Sequence, residues 1–427
     1  MIYINYLYIF FIFLNKFLQC NIISFPFKRI FLSDLNETNF YSNYAYNRIY
    51  TYIKIGTPPF EIKIQIEMSQ YSLCIKNDSI YNHNISKTYI ENGEKITRYS
   101  NDYFSFIPSN ESFILGKENI IIENLKFLLT ENSNYNFEGI LGLQIHENYD
   151  KIDGHGLISQ LKSNKLINKE VFFFNFDKND RNNGELIIGD YPHLIPEFKN
   201  EFPEFQFKLT SLHIPGFEIN FNLKFRSIFW NGKEIEKESV SNINIESGYI
   251  IATKSFEEIS KEFFIKNKCE KIIVNVIYYT YICDYSSKLN ISDFSDINFY
   301  SSDANYNFTL SYKDIFMKNG SKIYFMIVFD IGGHNMYWTL GNLFIKKNNL
   351  VFDMNRRIIC FYDRRVENPK NDILNDKTMI YMIIIIVAGL IILGLFSFII
   401  YKFLFKKKNK KVYELNEDYE YNTSLNN

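Results

Sequence analysis

Two segments 179 residues apart share one plan: Ile64-Gln65-Ile66-Glu67-Met68-Ser69-Gln70 and Ile243-Asn244-Ile245-Glu246-Ser247-Gly248-Tyr249. In each, alternating apolar residues lead into a carboxylate, and small or polar turn residues follow. A strand of this pattern buries one face and presents the other, so the acid is set at the end of a rigid element. Two such half-chains delivering one carboxyl group each are the layout of a two-lobed acid–base site. Other combinations are poorer. His146-Glu147-Asn148-Tyr149-Asp150 lacks a second histidine at i+4 and so is not a zinc-protease helix. Asp150–His155 has no metal-ligand spacing, and Gly332-Gly333-His334 reads as a turn and not a phosphate loop.

The elements that must position the two acids are mostly short strands between Tyr46 and Asp363, punctuated by Asn, Gly, Asp and Ser. Tyr52–Ile66 alternates around Gly56-Thr57-Pro58-Pro59, the pattern of a hairpin. Ile120-Ile121-Ile122 and Leu125–Leu129 read as a second one. Helices are expected at Gly154–Leu166, on its Leu157/Leu161 spacing, and at Ser255–Phe264. Val171–Asn175 and Gly184–Gly189 return to strand, a composition shift near Pro192–Pro203 marks a lobe boundary, and Phe217–Phe229 opens a second β-rich region.

With 427 residues the chain has room for two lobes and appendages, and a net charge of −1 gives no reason to expect nucleic acid. Residues 1–20 are apolar with one lysine and read as a signal peptide, a signal anchor being the alternative. Residues 379–401 carry no charge over 23 positions, about 35 Å as a helix, and Lys402, Lys406, Lys407, Lys408, Lys410 and Lys411 follow. The expectation is one transmembrane helix of type I, with the body in the secretory lumen or outside the cell and the tail, 402–427, cytosolic. Residues 364–378, polar and containing Pro369, read as a stalk. Asn36, Asn77, Asn84, Asn110, Asn290, Asn307 and Asn319 head glycosylation sequons. Cys269 and Cys283 flank a strand-like segment and are the expected disulfide, while Cys74 and Cys360 read as buried thiols.

These elements, in this order, resemble the pepsin-like aspartic peptidase family over roughly Tyr46–Asp363. Tyr52-Ile53-Lys54-Ile55-Gly56-Thr57-Pro58-Pro59 is similar to its first hairpin, and Phe137-Glu138-Gly139-Ile140-Leu141-Gly142-Leu143 to its first hydrophobic-hydrophobic-glycine segment. Gly184–Gly189 is similar to the strand closing the first lobe. Trp338-Thr339-Leu340-Gly341-Asn342-Leu343-Phe344 is similar to the second glycine segment, and Leu350–Asp353 with Arg357–Phe361 to the terminal strands. The resemblance implies a mostly β, bilobal fold with a cleft between lobes, 48–195 and 196–363, preceded by a short leader or propeptide-like segment, 21–47. It implies peptide or protein ligands and a monomeric body, and its chemistry needs no metal and no cofactor.

In that family each lobe carries a catalytic Asp-Thr/Ser-Gly, which falls here on Glu67 and Glu246. The chemistry requires two carboxyl groups that share one proton, since both cannot ionise side by side. Glutamate is as acidic as aspartate to within about 0.4 units, so acidity is no obstacle. Its extra methylene displaces the carboxyl by about 1.5 Å, and a misplacement of about 1 Å can cost roughly 10²-fold in rate. Among the dyad-supporting positions, Met68 replaces a hydroxyl residue and Ser69 a glycine; Ser247 and Gly248 keep the family pattern, and Tyr249 stands where Thr is usual. The flap candidates are Tyr99 and Tyr103, in a stretch, Glu94–Leu115, that contains no glycine. The expectation is a peptide-binding relative with impaired catalysis; an active aspartic-type endopeptidase using both glutamates is the alternative, and a structural surface protein is less favoured.

Overall fold

A computed structural model describes residues 22–29 and 48–366, apart from 79, 100–102, 131–137, 145–155, 178–182, 213–220, 275–276, 286–288 and 334, together with 394, 396–398 and 402. The chain divides into a large unit, Met1–Arg364, and a second unit, Arg365–Asn427. Within the first, the described residues form one sheet of 14 strands and another of 11, with few helices.

The first hairpin forms as expected. Strand Ile49–Ile55 pairs with Phe60–Glu67 across the Gly56–Pro59 turn, Ile55 opposite Phe60. Alternation puts Ile62, Ile64 and Ile66 in the core and turns Lys63, Gln65 and Glu67 to the other face. Strand Gly139–Gly142 then lies parallel to it, Glu67 opposite Gly142. The second lobe repeats the device: Trp338–Leu340 runs parallel to the end of Lys233–Ile243, with Ile243 opposite Leu340. The helices fall at Leu157–Ser163 and Lys254–Lys266, close to their expected positions.

Three expectations change. Residues 120–129 are not a hairpin but one strand, Ile120–Thr130, pairing with Tyr103–Leu115; Asn124 stands at φ 57° opposite a register shift between Glu111 and Phe113. The Glu123-Asn124 break that reads as a turn is thus an irregularity inside a strand. Next, part of the 21–47 leader is structural. Strand Ile23–Arg29 sits between Asn183–Ile188 and Ile49–Ile55 and buries Ile23, Phe25 and Phe27 completely. Finally, the first sheet runs across the 195/196 boundary, because it also holds Phe207–Ser211, Val351–Asp353 and Ile358–Tyr362. Phe172, Phe221 and Phe352, from three distant parts of the sequence, pack with ring centroids 4.8–5.8 Å apart and join the two regions in one core.

Cys269 and Cys283 form a disulfide beside the Glu270–Ile273/Tyr278–Asp284 pairing, and Cys74 and Cys360 are free and buried. Burial pushes the Cys360 thiol up to about 12, which suits a packing role. Residues 1–20, Asn36, His146–Asp150 and nearly all of 379–401 lie outside the described residues. Among the described residues no helix is long and apolar enough to cross a membrane, and no cluster of His, Cys, Asp or Glu has the arrangement of a metal site.

Candidate active site

Glu67 ends strand Phe60–Glu67, Glu246 stands in the turn three residues beyond strand Lys233–Ile243, and each turn is held by a glycine segment of the same lobe. In the first lobe, Leu143 N donates to Glu67 O and Gln144 N to Gln70 O, both at 2.8 Å. In the second, Asn342 N donates to Ser247 O at 2.9 Å. The approach is close enough to require glycine. A Cβ on Gly142 would stand 2.5 Å from Gln70 O, and one on Gly341 2.2 Å from Tyr249 O and 2.5 Å from Ser247 O.

The structure brings Glu67 and Glu246 together, with Glu246 reaching the turn that follows Glu67. Oε1 of Glu246 reaches across to the turn of the other lobe. There it accepts hydrogen bonds from Met68 N at 3.0 Å, Ser69 N at 3.0 Å and Ser69 Oγ at 2.8 Å. Two successive backbone N–H groups aimed at one oxygen make a small anion cradle, and the serine hydroxyl completes it. The extra methylene of glutamate supplies the reach. Behind it, Glu246 N donates to Asn244 Oδ1 at 2.7 Å and stiffens the strand end.

Glu67 is in a different state. Burial, and then the charge of Glu246, push it up to about 8, with Arg48 and the Ser69 hydroxyl acting against them. Below that pH it carries a proton. Gln65, buried two residues earlier on the same strand face, donates from Nε2 to Glu67 Oε1 at 2.5 Å. The Gln65 Oε1 atom is buried with no hydrogen-bond partner, so with the amide turned over its carbonyl would accept the Glu67 proton. Burial and the neighbouring charge thus favour the protonated form of Glu67, while Glu246 Oε1 accepts the three hydrogen bonds of the cradle.

The remaining expected residues do less for the pair. The Met68 side chain is buried in the core. Ser247 donates its hydroxyl to Tyr249 O at 2.6 Å, within its own turn. Gly248 is buried in that turn. Tyr249 packs among Val274, Ile282, Tyr324, Met326 and Val328. Of the flap candidates, Tyr99 at the end of strand Ile96–Tyr99 pairs antiparallel with Tyr103 at the start of strand Tyr103–Leu115. Of the sequons within the described residues, Asn84, Asn290, Asn307 and Asn319 are exposed, and Asn77 and Asn110 half-buried.

Sequence reasoning missed Gln65 and Arg48. Period-two alternation already puts Gln65 on the face of Glu67. The hairpin register, Tyr50 opposite Gln65, carries Arg48 across from Glu67. Both were legible once the hairpin was drawn.

A family profile described as eukaryotic aspartyl protease matches residues 50–362. Among solved structures the chain is similar to basic 7S globulin from soybean, with 14% identity and a TM-score of 0.60, over 81% of this chain and 97% of that one. At that identity the likeness speaks to the fold alone. A sequence comparison with curated proteins gave no match.

Proposed function

Because the chain belongs to the eukaryotic aspartyl protease family, we propose that it binds extended peptides between its lobes with hydrolysis impaired. The observation that supports this reading is the three-donor cradle around Glu246 Oε1. Peptide hydrolysis by a carboxyl pair needs the ionised member to hold a water and take its proton, while the protonated member polarises the carbonyl. A carboxylate oxygen has two lone-pair sites. Three donors already converge on this one, which leaves it no room for a water.

A second reading, the active endopeptidase, draws on the proton held by Glu67: one neutral and one acceptor carboxyl is the distribution that acid hydrolysis uses. It requires Glu246 Oε2 to take over the water. The same proposal includes a type I anchor at 379–401, on the strength of its uncharged length and the lysines that follow. It also includes a signal peptide, a monomeric, glycosylated body in the secretory lumen or outside the cell, and a cytosolic tail.

The test uses the full chain in a nonionic detergent, presented with a peptide library between about pH 4 and 8, where a coupled acidic pair titrates. Saturable peptide binding without cleavage is the expected result. Cleavage that disappears in both Glu67→Gln and Glu246→Gln would establish the active enzyme in its place.

A further inference from the structure

A cavity of about 270 Å³ lies where the chain leaves the large unit, far in sequence from either glutamate's strand. Among the described residues five cations line it, Arg29, Lys313, Lys346, Lys347 and Arg364, against one carboxylate, Asp314. They come from separate elements: strand Ile23–Arg29, helix Tyr312–Ile315, helix Asn342–Asn348 and the segment after strand Ile358–Tyr362. Gathering like charges from four places costs energy unless something negative sits among them.

Asp314 meets little of that need. It pairs with Lys347 at 3.0 Å, and its other oxygen accepts from Ser311 N and Oγ at 2.8 Å. Several of the cations also touch neutral groups. Arg29 and Lys346 stand 5.2 and 5.6 Å from the centroid of the Phe176 ring, and Lys346 Nζ lies 3.4 Å from Asp177 O. Lys313 stands 5.8 Å from the centroid of the Tyr312 ring. Arg364 reaches the Asn349 side-chain carbonyl at 2.8 and 3.1 Å in the amide orientation that satisfies both.

A second observation points to a ligand independently of charge. Asn342 also lines the cavity, is 1% exposed, and its Nδ2 is a buried donor with no hydrogen-bond partner. An unmet buried donor is costly, and an oxyanion in the cavity would supply its acceptor. Leu343 and Met317 give the lining an apolar portion.

We infer that this cavity binds an oxyanion of the phosphate class. Guanidinium and ammonium groups from several elements, together with a buried amide donor, suit a phosphate group that accepts on three or more oxygens. The same group is offered by free phosphate and by the headgroup of an anionic phospholipid, and the experiment separates the two. Thermal unfolding of the full chain in nonionic detergent is followed with inorganic phosphate and, separately, with dihexanoyl phosphatidic acid, at fixed ionic strength. A saturable rise of ~3 °C or more is expected from at least one probe. A response to phosphate alone, to both, or to the lipid alone assigns the source, and each supports the site. The rise should vanish in Lys313→Gln/Lys346→Gln and shrink in the milder Arg364→Gln, which changes one exposed side chain. No saturable rise with either probe, or an equal rise in these variants, overturns the inference.

Discussion

Glu67→Gln isolates the energetic consequence of holding a proton inside this site. The ordinary value for the side chain is 4.5, and the fold pushes it up to about 8 through burial and the neighbouring Glu246 charge. Between those values the folded protein keeps the proton and the unfolded chain releases it. Stability therefore falls as pH rises: the group costs nothing below about 4.5, and its penalty is complete above about 8. At 1.36 kcal/mol per unit the ceiling is ~5 kcal/mol, and Glu67 is only partly buried and has Arg48 beside it, so ~2–3 kcal/mol is the working expectation. Glutamine copies the neutral acid in shape and charge, and Gln65 can turn its amide to match. The variant should thus equal the wild type near pH 4.5 and exceed it at pH 8, by ~3–4 °C in Tm for a fold of this size. The assay is thermal unfolding of the full chain in detergent at half-unit steps of pH. Parallel curves for the two proteins would refute the reasoning, since they would mean that Glu67 titrates in the fold as it does in the unfolded chain.

Two further substitutions probe the frame of the site. Glu246→Asp shortens the arm by about 1.5 Å and withdraws Oε1 from Met68 N, Ser69 N and Ser69 Oγ. It should destabilise the protein by ~1–3 kcal/mol, and an unchanged denaturant midpoint would show that the cradle holds nothing. Gly341→Ala drives a Cβ to 2.2 Å from Tyr249 O and 2.5 Å from Ser247 O, both backbone atoms. A loss of ~1–3 kcal/mol is expected from that overlap, read as a fall in Tm; a silent change would mean that the turn behind Glu246 is free to shift.

What the sequence made legible is what local pattern encodes. The twin strands, their glutamates, the first hairpin and both helices follow from alternation, turn residues and i, i+4 spacing. Long-range pairing does not. Nothing local says that Phe207–Ser211 will lie beside Ile358–Tyr362, or that Ile23–Arg29 will fill the slot between Asn183–Ile188 and Ile49–Ile55. Glu123-Asn124 misleads because Asn tolerates positive φ both at turns and at strand irregularities. In the site, the loss of glycine at Ser69 was legible but its use was not. Only the fold shows that the hydroxyl gained there is a donor to the opposite lobe.

Ser69 and Glu246 gain their meaning together. A glycine at 69 would leave Glu246 with two donors, and an aspartate at 246 would leave the Ser69 hydroxyl short of its partner. The pair forms a connection between lobes, charge-assisted at every bond, in the place where the resemblance implies a water and a shared proton. A carboxylate that ties the two turns together resists the small shifts by which a cleft of this kind admits and positions a reacting bond. The neutral Glu67 fits the same logic: beside a carboxylate fixed in place, the second acid lowers the repulsion by keeping its proton, with Gln65 at its shoulder. Both glutamates are thus accounted for by what they hold, and it is on this arrangement that the proposed binding without turnover rests.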